Sequence, residues 1–256
     1  MAYAVHWRGE FTDNEGEDWK IEILEDAYAG DVDTMQMSGN PLTIEWPSVS
    51  DDLHDQSIRG SQARIEVYSE SDLEYATLFT SDKLKYQVNI YYASITLYWT
   101  GFITADTWQE PYTDYPYRTV ISATDGLGIL KEFEFTDLSL NDYQTISKVI
   151  HDILELINID AFTEYVNVYP TLASDKGVTD SPFDQTRVWC IIWEDSTCYD
   201  ALEDILKLFN AGIKQELGEF IIYRYKELDD TTMYGRDWTT ATNKSGTTKT
   251  PLQYID

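Results

Sequence analysis

Cysteine, histidine and proline are scarce in this chain of 256 residues, at two, three and seven positions. The two thiols, Cys190 and Cys198, lack the spacing of a zinc or dithiol motif, and without histidine two cysteines do not complete a structural zinc site. They read as buried free thiols. His6, His54 and His151 are scattered over a strand, a loop and a helix, and no pair has the HExxH spacing of a metal helix. His151 lies beside the apolar stripe of its helix, where a lone histidine is a boundary residue more often than a ligand. No GxSxG elbow and no GK[ST] phosphate loop occur, so neither an α/β-hydrolase nor a nucleotide-binding site is indicated. The DNEG sequence at 13–16 lacks the acidic spacing and terminal Glu of a calcium loop. Together these absences exclude a recognisable catalytic, metal or cofactor motif, and the chain is expected not to be an enzyme.

Cations are scarce as well, 18 against 46 acidic residues, for a net charge of −28. Such a chain repels nucleic acid and anionic membranes. Two readings of the charge stand side by side: general solubility, or a surface that must not hold DNA passing close by. No apolar run approaches the roughly 18 residues of a membrane helix. The first residues, MAYAVHWRGEF, lack the basic and apolar regions of a secretory signal, which fits synthesis and folding in a cytoplasm.

What the chain does have is a hydrophobic content of 43%, enough to bury a core in two units. The organising stretch is Arg118–Lys131, RTVISATDGLGILK. It opens as a strand, alternating across the pleat, and Asp125-Gly126 breaks it, a pair suited to positive φ. Before this point the sequence reads as strands: 3–11, 19–25, 41–46, 63–68, 84–92, 95–103 and 117–123. Residues 3–25 form an opening hairpin, with Trp19, Ile21 and Ile23 on one face. Ala93-Ser94 turns a second. This density of strands argues for a barrel or a sandwich, not a βαβ fold, and the first domain is expected to be barrel-like over 1–128.

After the seam the period changes to 3.6. Ile146, Val149, Ile150, Ile153, Leu154 and Ile157 form one helical stripe, with Ser139 and Asp142 as the start signal. Cys198, Ala201, Leu202, Ile205, Leu206 and Phe209 form another, with Thr197 and Asp200 as cap and Gly212 just past the end. A hairpin follows, with its turn at Gly218-Glu219. The second domain, 129–228, is therefore α+β, and so is the whole chain: a strand-rich barrel-like domain followed by a smaller α+β domain. Between the helices, 158–188 reads as a long irregular stretch, and from 229 to 256 periodicity is lost, as in an irregular tail.

Tyrosine and tryptophan are frequent, at 19 and eight positions. Trp99, Trp108, Tyr112, Tyr115 and Tyr117 cluster near the end of the first domain. Such rings serve either β-core packing or a contact surface, and as a contact surface they are the candidate partner-binding residues, together with 158–188. Asp125, Gly126 and Gly128 shape the seam and carry no chemistry.

The order of motifs resembles the tail-tip or baseplate hub proteins of bacteriophages and prophages. The motifs are WKIEIL, PLTIEW, IRGS, YWTGFI, EPYTDYPY and ATDGLGILK, then TCYDALEDILKLFNAGIKQELGEFIIYR. The resemblance covers about residues 3–226. It implies a tube-like β-barrel followed by an α+β domain, and a homo-oligomeric ring, a trimer, at the end of the tail tube. It also implies contacts with neighbouring tail proteins, DNA passing through without specific binding, and a place in the virion tail. The family's second tube-like barrel has no counterpart in the motifs found here. The other reading of the aromatic cluster is a receptor- or glycan-binding module whose rings stack on sugar.

Overall fold

A computed structural model of the chain describes residues 2–47, 56–104, 113–140, 142–157, 162–165, 182–225, 233–240 and 243–249. It forms two units, the first comprising Met1–Pro47, Gly60–Gly126 and Gln215–Gly218, and the second Ser48–Arg59, Leu127–Lys214 and Glu219–Asp256. The seam at Gly126/Leu127 falls two residues before the expected one. Neither unit is continuous in sequence, which the 1–128 and 129–228 domains did not foresee.

The first unit is one sheet. Its strands are β1 (Tyr3–Thr12), β2 (Asp18–Asp26), β3 (Asp33–Thr34) and β4 (Gln36–Glu45), then β6 (Gln62–Ser69), β7 (Tyr86–Tyr92), β8 (Thr96–Ile103) and β9 (Tyr117–Thr124); β5 (Ile58–Arg59) belongs to the second unit. They run in the order β3-β1-β2-β7-β8-β9-β6-β4. Pairing puts apolar side chains opposite one another: Ile21 faces Ile90, which faces Trp99, and Ile65 faces Ile121. All of these are buried in one cluster with Ile23, Val67 and Val88. Each such side chain contributes about 1.5–3 kcal/mol relative to exposure, so alternation sets the register.

The expected barrel is corrected: among the described residues the sheet is not closed, and its edges are β3 and β4. The two edges are consecutive pieces of chain. Met35 alone separates them, donating its N–H to the Arg8 carbonyl at 2.7 Å. β3 pairs with β1 and β4 with β6, so the sheet must curl until both edges reach one segment. β4 begins earlier than Pro41 because a register shift between Met37 and Leu42 absorbs the proline, which has no N–H for a ladder.

The second unit has helices α1 (Ile146–Glu155), α2 (Pro182–Gln185) and α3 (Cys198–Leu208), with 3-10 turns at Leu127–Glu132, Phe135–Leu138 and Cys190–Trp193. A short antiparallel ribbon joins β10 (Tyr143–Thr145) to β12 (Arg187–Trp189). β5 edges a second sheet with β11 (Phe162–Tyr165), β13 (Ala211–Glu216), β14 (Glu219–Arg224), β15 (Met233–Thr240) and β16 (Asn243–Lys249), ordered β16-β15-β11-β14-β13-β5. Both predicted apolar stripes are buried apart from Phe209, whose ring meets Phe183 edge-on at 4.7 Å. The stretch called irregular contains β11, α2 and the start of β12, and the expected tail contains β15 and β16. Their segments are polar on both faces or too short to show a period.

Of four local expectations, one holds and three meet the backbone differently. Thr197 caps α3 as expected, accepting from the Asp200 N–H at 3.2 Å. The start of α1 is Thr145, which accepts from the Lys148 N–H at 3.3 Å; Ser139 instead ends a 3-10 turn in the left-handed region. Past α3 the left-handed residue is Asn210 (φ 50°), so Gly212 is not the cap. The β13–β14 turn sits one residue earlier than expected, at Leu217-Gly218.

Ala93 (φ 49°) and Ser94 (φ 60°) turn the β7–β8 hairpin at the expected place, yet neither residue suits positive φ. Ala93→Asn combined with Ser94→Gly is therefore expected to stabilise the chain by about 1 kcal/mol. A thermal melt followed by circular dichroism checks it, and an unchanged or lowered midpoint contradicts the strain.

Candidate functional site

The end of β9 holds a buried carboxylate. Asp125 Oδ2 accepts from the Ser61 backbone N–H at 2.5 Å and from the Ser61 hydroxyl at 3.0 Å. Ser61 Oγ in turn accepts from the Trp99 indole N–H at 2.9 Å, and the Asp125 N–H returns a bond to the Ser61 carbonyl at 3.0 Å. All three residues are buried. Serine supplies the carboxylate with two donors from one position, and tryptophan donates to the serine hydroxyl behind them, a way to place a carboxylate in a core without exposing it to water. The arrangement joins β6, β8 and β9 at the seam. A second buried polar contact lies nearby in sequence on β8: the Gln215 amide accepts from the Thr100 N–H at 3.0 Å and donates to its carbonyl at 2.7 Å.

The candidate seam residues thus divide. Asp125 is the buried acceptor, and Gly126 (φ 89°) needs the freedom that only glycine has without strain. Gly128 sits in a 3-10 turn with open space where a Cβ would stand, so its lack of a side chain is not required. The candidate partner-binding residues divide too. Trp99 is fully buried with its indole N–H committed to Ser61, and Tyr117 is buried. They belong to the interior of the first unit and offer no ring face to a partner. Tyr115 is 59% exposed. Trp108 and Tyr112 lie outside the described residues, as does much of 158–188.

Several ionisable groups are tied to one another. Glu22 meets Arg8 at 2.9 Å and Lys20 at 3.2 Å, and Glu66 meets Arg64 at 3.4 Å and Arg118 at 3.1 Å. Both carboxylates are buried, so each would be costly to desolvate without the cations beside it. Glu25 binds His6 at 2.8 Å and Lys85 at 3.1 Å. The Asp13 carboxyl is held below its usual range, chiefly by the Trp19 indole N–H. It accepts from the Glu15 and Glu17 N–H groups and so shapes the β1–β2 turn. Burial pushes the Cys190 thiol up, and the Cys198 thiol to about 12. Burial likewise raises the Tyr223 and Tyr225 phenols, the latter to about 12. Gly212 lies against those two hydroxyls, where a Cβ would crowd them. Among the described residues no group of three or more His, Cys, Asp or Glu is placed to hold a metal.

Sequence reasoning missed the exposed apolar surface of the second unit. Tyr143 and Trp189 face each other across the β10–β12 ribbon and stack at 6.1 Å and 19°. Ile191 and Ile192 follow, both exposed. Tyr143 stands alone in a polar stretch, and VWCIIW reads as interior, so only the fold separates its outward residues from Cys190 and Trp193.

The described residues define a strand-rich α+β protein. No family model matches the chain, and no curated protein matches it. Among solved structures, a 43 kDa tail protein of prophage MuSo2 from Shewanella oneidensis is similar at 16% identity and a TM-score of 0.39. The match covers 64% of this chain and 46% of that one, so the chain spans less than half of the length of the protein it matches.

Removing the Asp125 carboxylate orphans two buried donors. Asp125→Ala is expected to cost about 3 kcal/mol, whereas Asp125→Asn, which keeps an acceptor, costs about 1 kcal/mol. Urea denaturation followed by tryptophan emission separates the two; equal losses would show that the acceptor itself does not matter. Cys198, with its pKa pushed up to about 12, stays a neutral thiol at pH 8. Iodoacetamide at that pH is expected to leave Cys198 unmodified in the native chain and to alkylate it in urea, as read by peptide mass mapping. Native alkylation would contradict its burial.

Proposed function

We propose that the chain is a non-enzymatic structural component of a phage or prophage-derived tail, a subunit of the hub or tip ring around the DNA channel. Its partners are other copies of itself, in a trimer, and the neighbouring tail proteins. Its place is the virion tail. The order of sequence motifs supports the tail assignment. The observation that carries the role as a channel wall is the disposition of charge. With 46 acidic residues against 18 cations, the chain uses Arg8, Lys20, Arg64, Lys85, Arg118, Lys148 and Lys207 in ion pairs with its own carboxylates. A wall with 46 acidic residues against 18 cations, seven of those cations paired with its own carboxylates, repels the phosphates of a passing duplex, which is not held. Exposed Tyr115 favours a second reading, a module that stacks a sugar ring.

Mass measurement in solution with a negative-stain image tests the ring. A closed particle with a central hole and three times the 29.6 kDa chain mass is expected, with no retardation of duplex DNA in a gel at low salt. A monomer that binds an oligosaccharide and loses it on Trp108→Ala would replace this reading with the second.

A further inference from the structure

We propose that the face made by Tyr143, Trp189, Ile191 and Ile192 docks a polypeptide segment of a different protein, one apolar side chain flanked by lysine or arginine. The inference goes beyond the tail reading and does not depend on it. Four large apolar side chains stand out on adjoining elements of the second unit: Tyr143 is 61% exposed, Trp189 47%, Ile191 42% and Ile192 60%. Exposed apolar side chains grouped on adjoining elements mark interaction sites, whereas single exposed residues do not. The two rings are locked in cross-strand register, so they form a platform with little rotamer freedom left to lose on binding.

A cavity of about 190 Å³ opens beside the platform, lined by Phe135, Thr136, Leu140, Cys190, Ile191 and Glu194. Ile191 belongs to both. A cavity of about 150 Å³ holds a benzene molecule, so this one has room for a phenylalanine or leucine side chain against Phe135, Leu140 and Ile191, with Thr136 and Glu194 making the rest of its wall polar. Its walls are fixed from several directions. The Phe135 ring packs on Trp193 at 5.4 Å, the Phe135 N–H donates to the Ser196 carbonyl at 2.9 Å, and the Cys190 N–H donates to the Asp142 carbonyl at 3.4 Å. A rigid pocket beside an aromatic platform is the anatomy of an interface hot spot.

Charge selects the occupant. Asp137, Asp142, Glu194 and Asp195 are exposed on these elements, against Arg187 on the ribbon. A second copy seated on this face by the same face would set its own Asp137, Asp142, Glu194 and Asp195 against these four. A segment with cationic flanks brings the complement, and its apolar residue fills the pocket.

The test uses the full chain labelled with ¹⁵N, with the Trp189 indole signal assigned by its loss in Trp189→Phe. Three probes are titrated: the capped peptides Lys-Gly-Phe-Gly-Lys, Glu-Gly-Phe-Gly-Glu and Lys-Gly-Ala-Gly-Lys. The cationic phenylalanine peptide is expected to shift the Trp189 signal saturably, with an affinity about tenfold above the other two. Leu140→Trp, which fills the pocket, and Ile192→Asp, on the exposed face, are each expected to weaken it about tenfold with the melting temperature unchanged. No shift, or equal shifts from all three peptides, overturns the proposal. A shift that grows with protein concentration without peptide, and is lost in Ile192→Asp, overturns it in favour of a second copy. A particle that is not a ring, with the peptide result intact, removes the tail reading and leaves this one standing.

Discussion

A carboxylate placed inside a β-sheet core has to be given donors there, and the first unit is arranged around meeting that requirement at Asp125. Ser61 gives it a backbone N–H and a hydroxyl, and Trp99 donates to the same hydroxyl. Those contacts fix the residue before β6, the middle of β8 and the residue after β9 together. The register Gln62 to Thr124 follows directly, and with it the apolar pairs further along β6 and β9. Hydrogen bonds net little energy when made and cost several times more when a buried partner is orphaned, so the constraint acts by excluding alternatives. Chain leaving β9 must turn where the carboxylate is held, and Gly126 supplies the positive φ that lets it do so.

The same asymmetry organises the charge. An acidic chain gains solubility but risks self-repulsion in the compact state. Here the buried carboxylates Glu22 and Glu66 each sit between two cations of neighbouring strand positions. Four of the 18 cations are thereby paired on the sheet's polar face, and the excess of acids leaves the net charge negative. Aromatic rings divide by the same logic of satisfaction. Trp99 is interior because its N–H has a partner there, and Trp193 is interior with its N–H on Asp204 at 3.3 Å. Trp189 and Tyr143 stay outside, stacked on each other.

Seven of the first unit's strands were legible as such, because one face of each packs on the core, only partly buried at Leu42 and Ile44 of β4, and the alternation survives in residues such as Ile21, Ile23, Ile65 and Val67. So was the cap of α3, where Thr197 and Asp200 meet at the spacing a first turn requires. The start of α1 was not: Ser139 and Asp142 carry the right chemistry, but Tyr143–Thr145 pairs with β12, and that partner lies far along the chain. β3 and β5 are two residues each, below any period. β15 and β16 carry polar residues on both faces, so their pairing leaves no pattern to read. Of the candidate contact residues, Trp99 and Tyr117 were misassigned because a ring's composition does not state which side of a pleat is dry.

By itself the sequence determined the α+β class, the two apolar helix stripes, the break at Asp125-Gly126 and the acidity, since each depends on residue type and local spacing. Tertiary structure alone decided that the sheet stays open among the described residues while its edges meet at Met35, that Gln215 and its turn belong with the strands of the first unit, and which of the described aromatic rings face outward. Those outcomes depend on partners distant in sequence, whose proximity is fixed by the burial and hydrogen bonding of the whole fold.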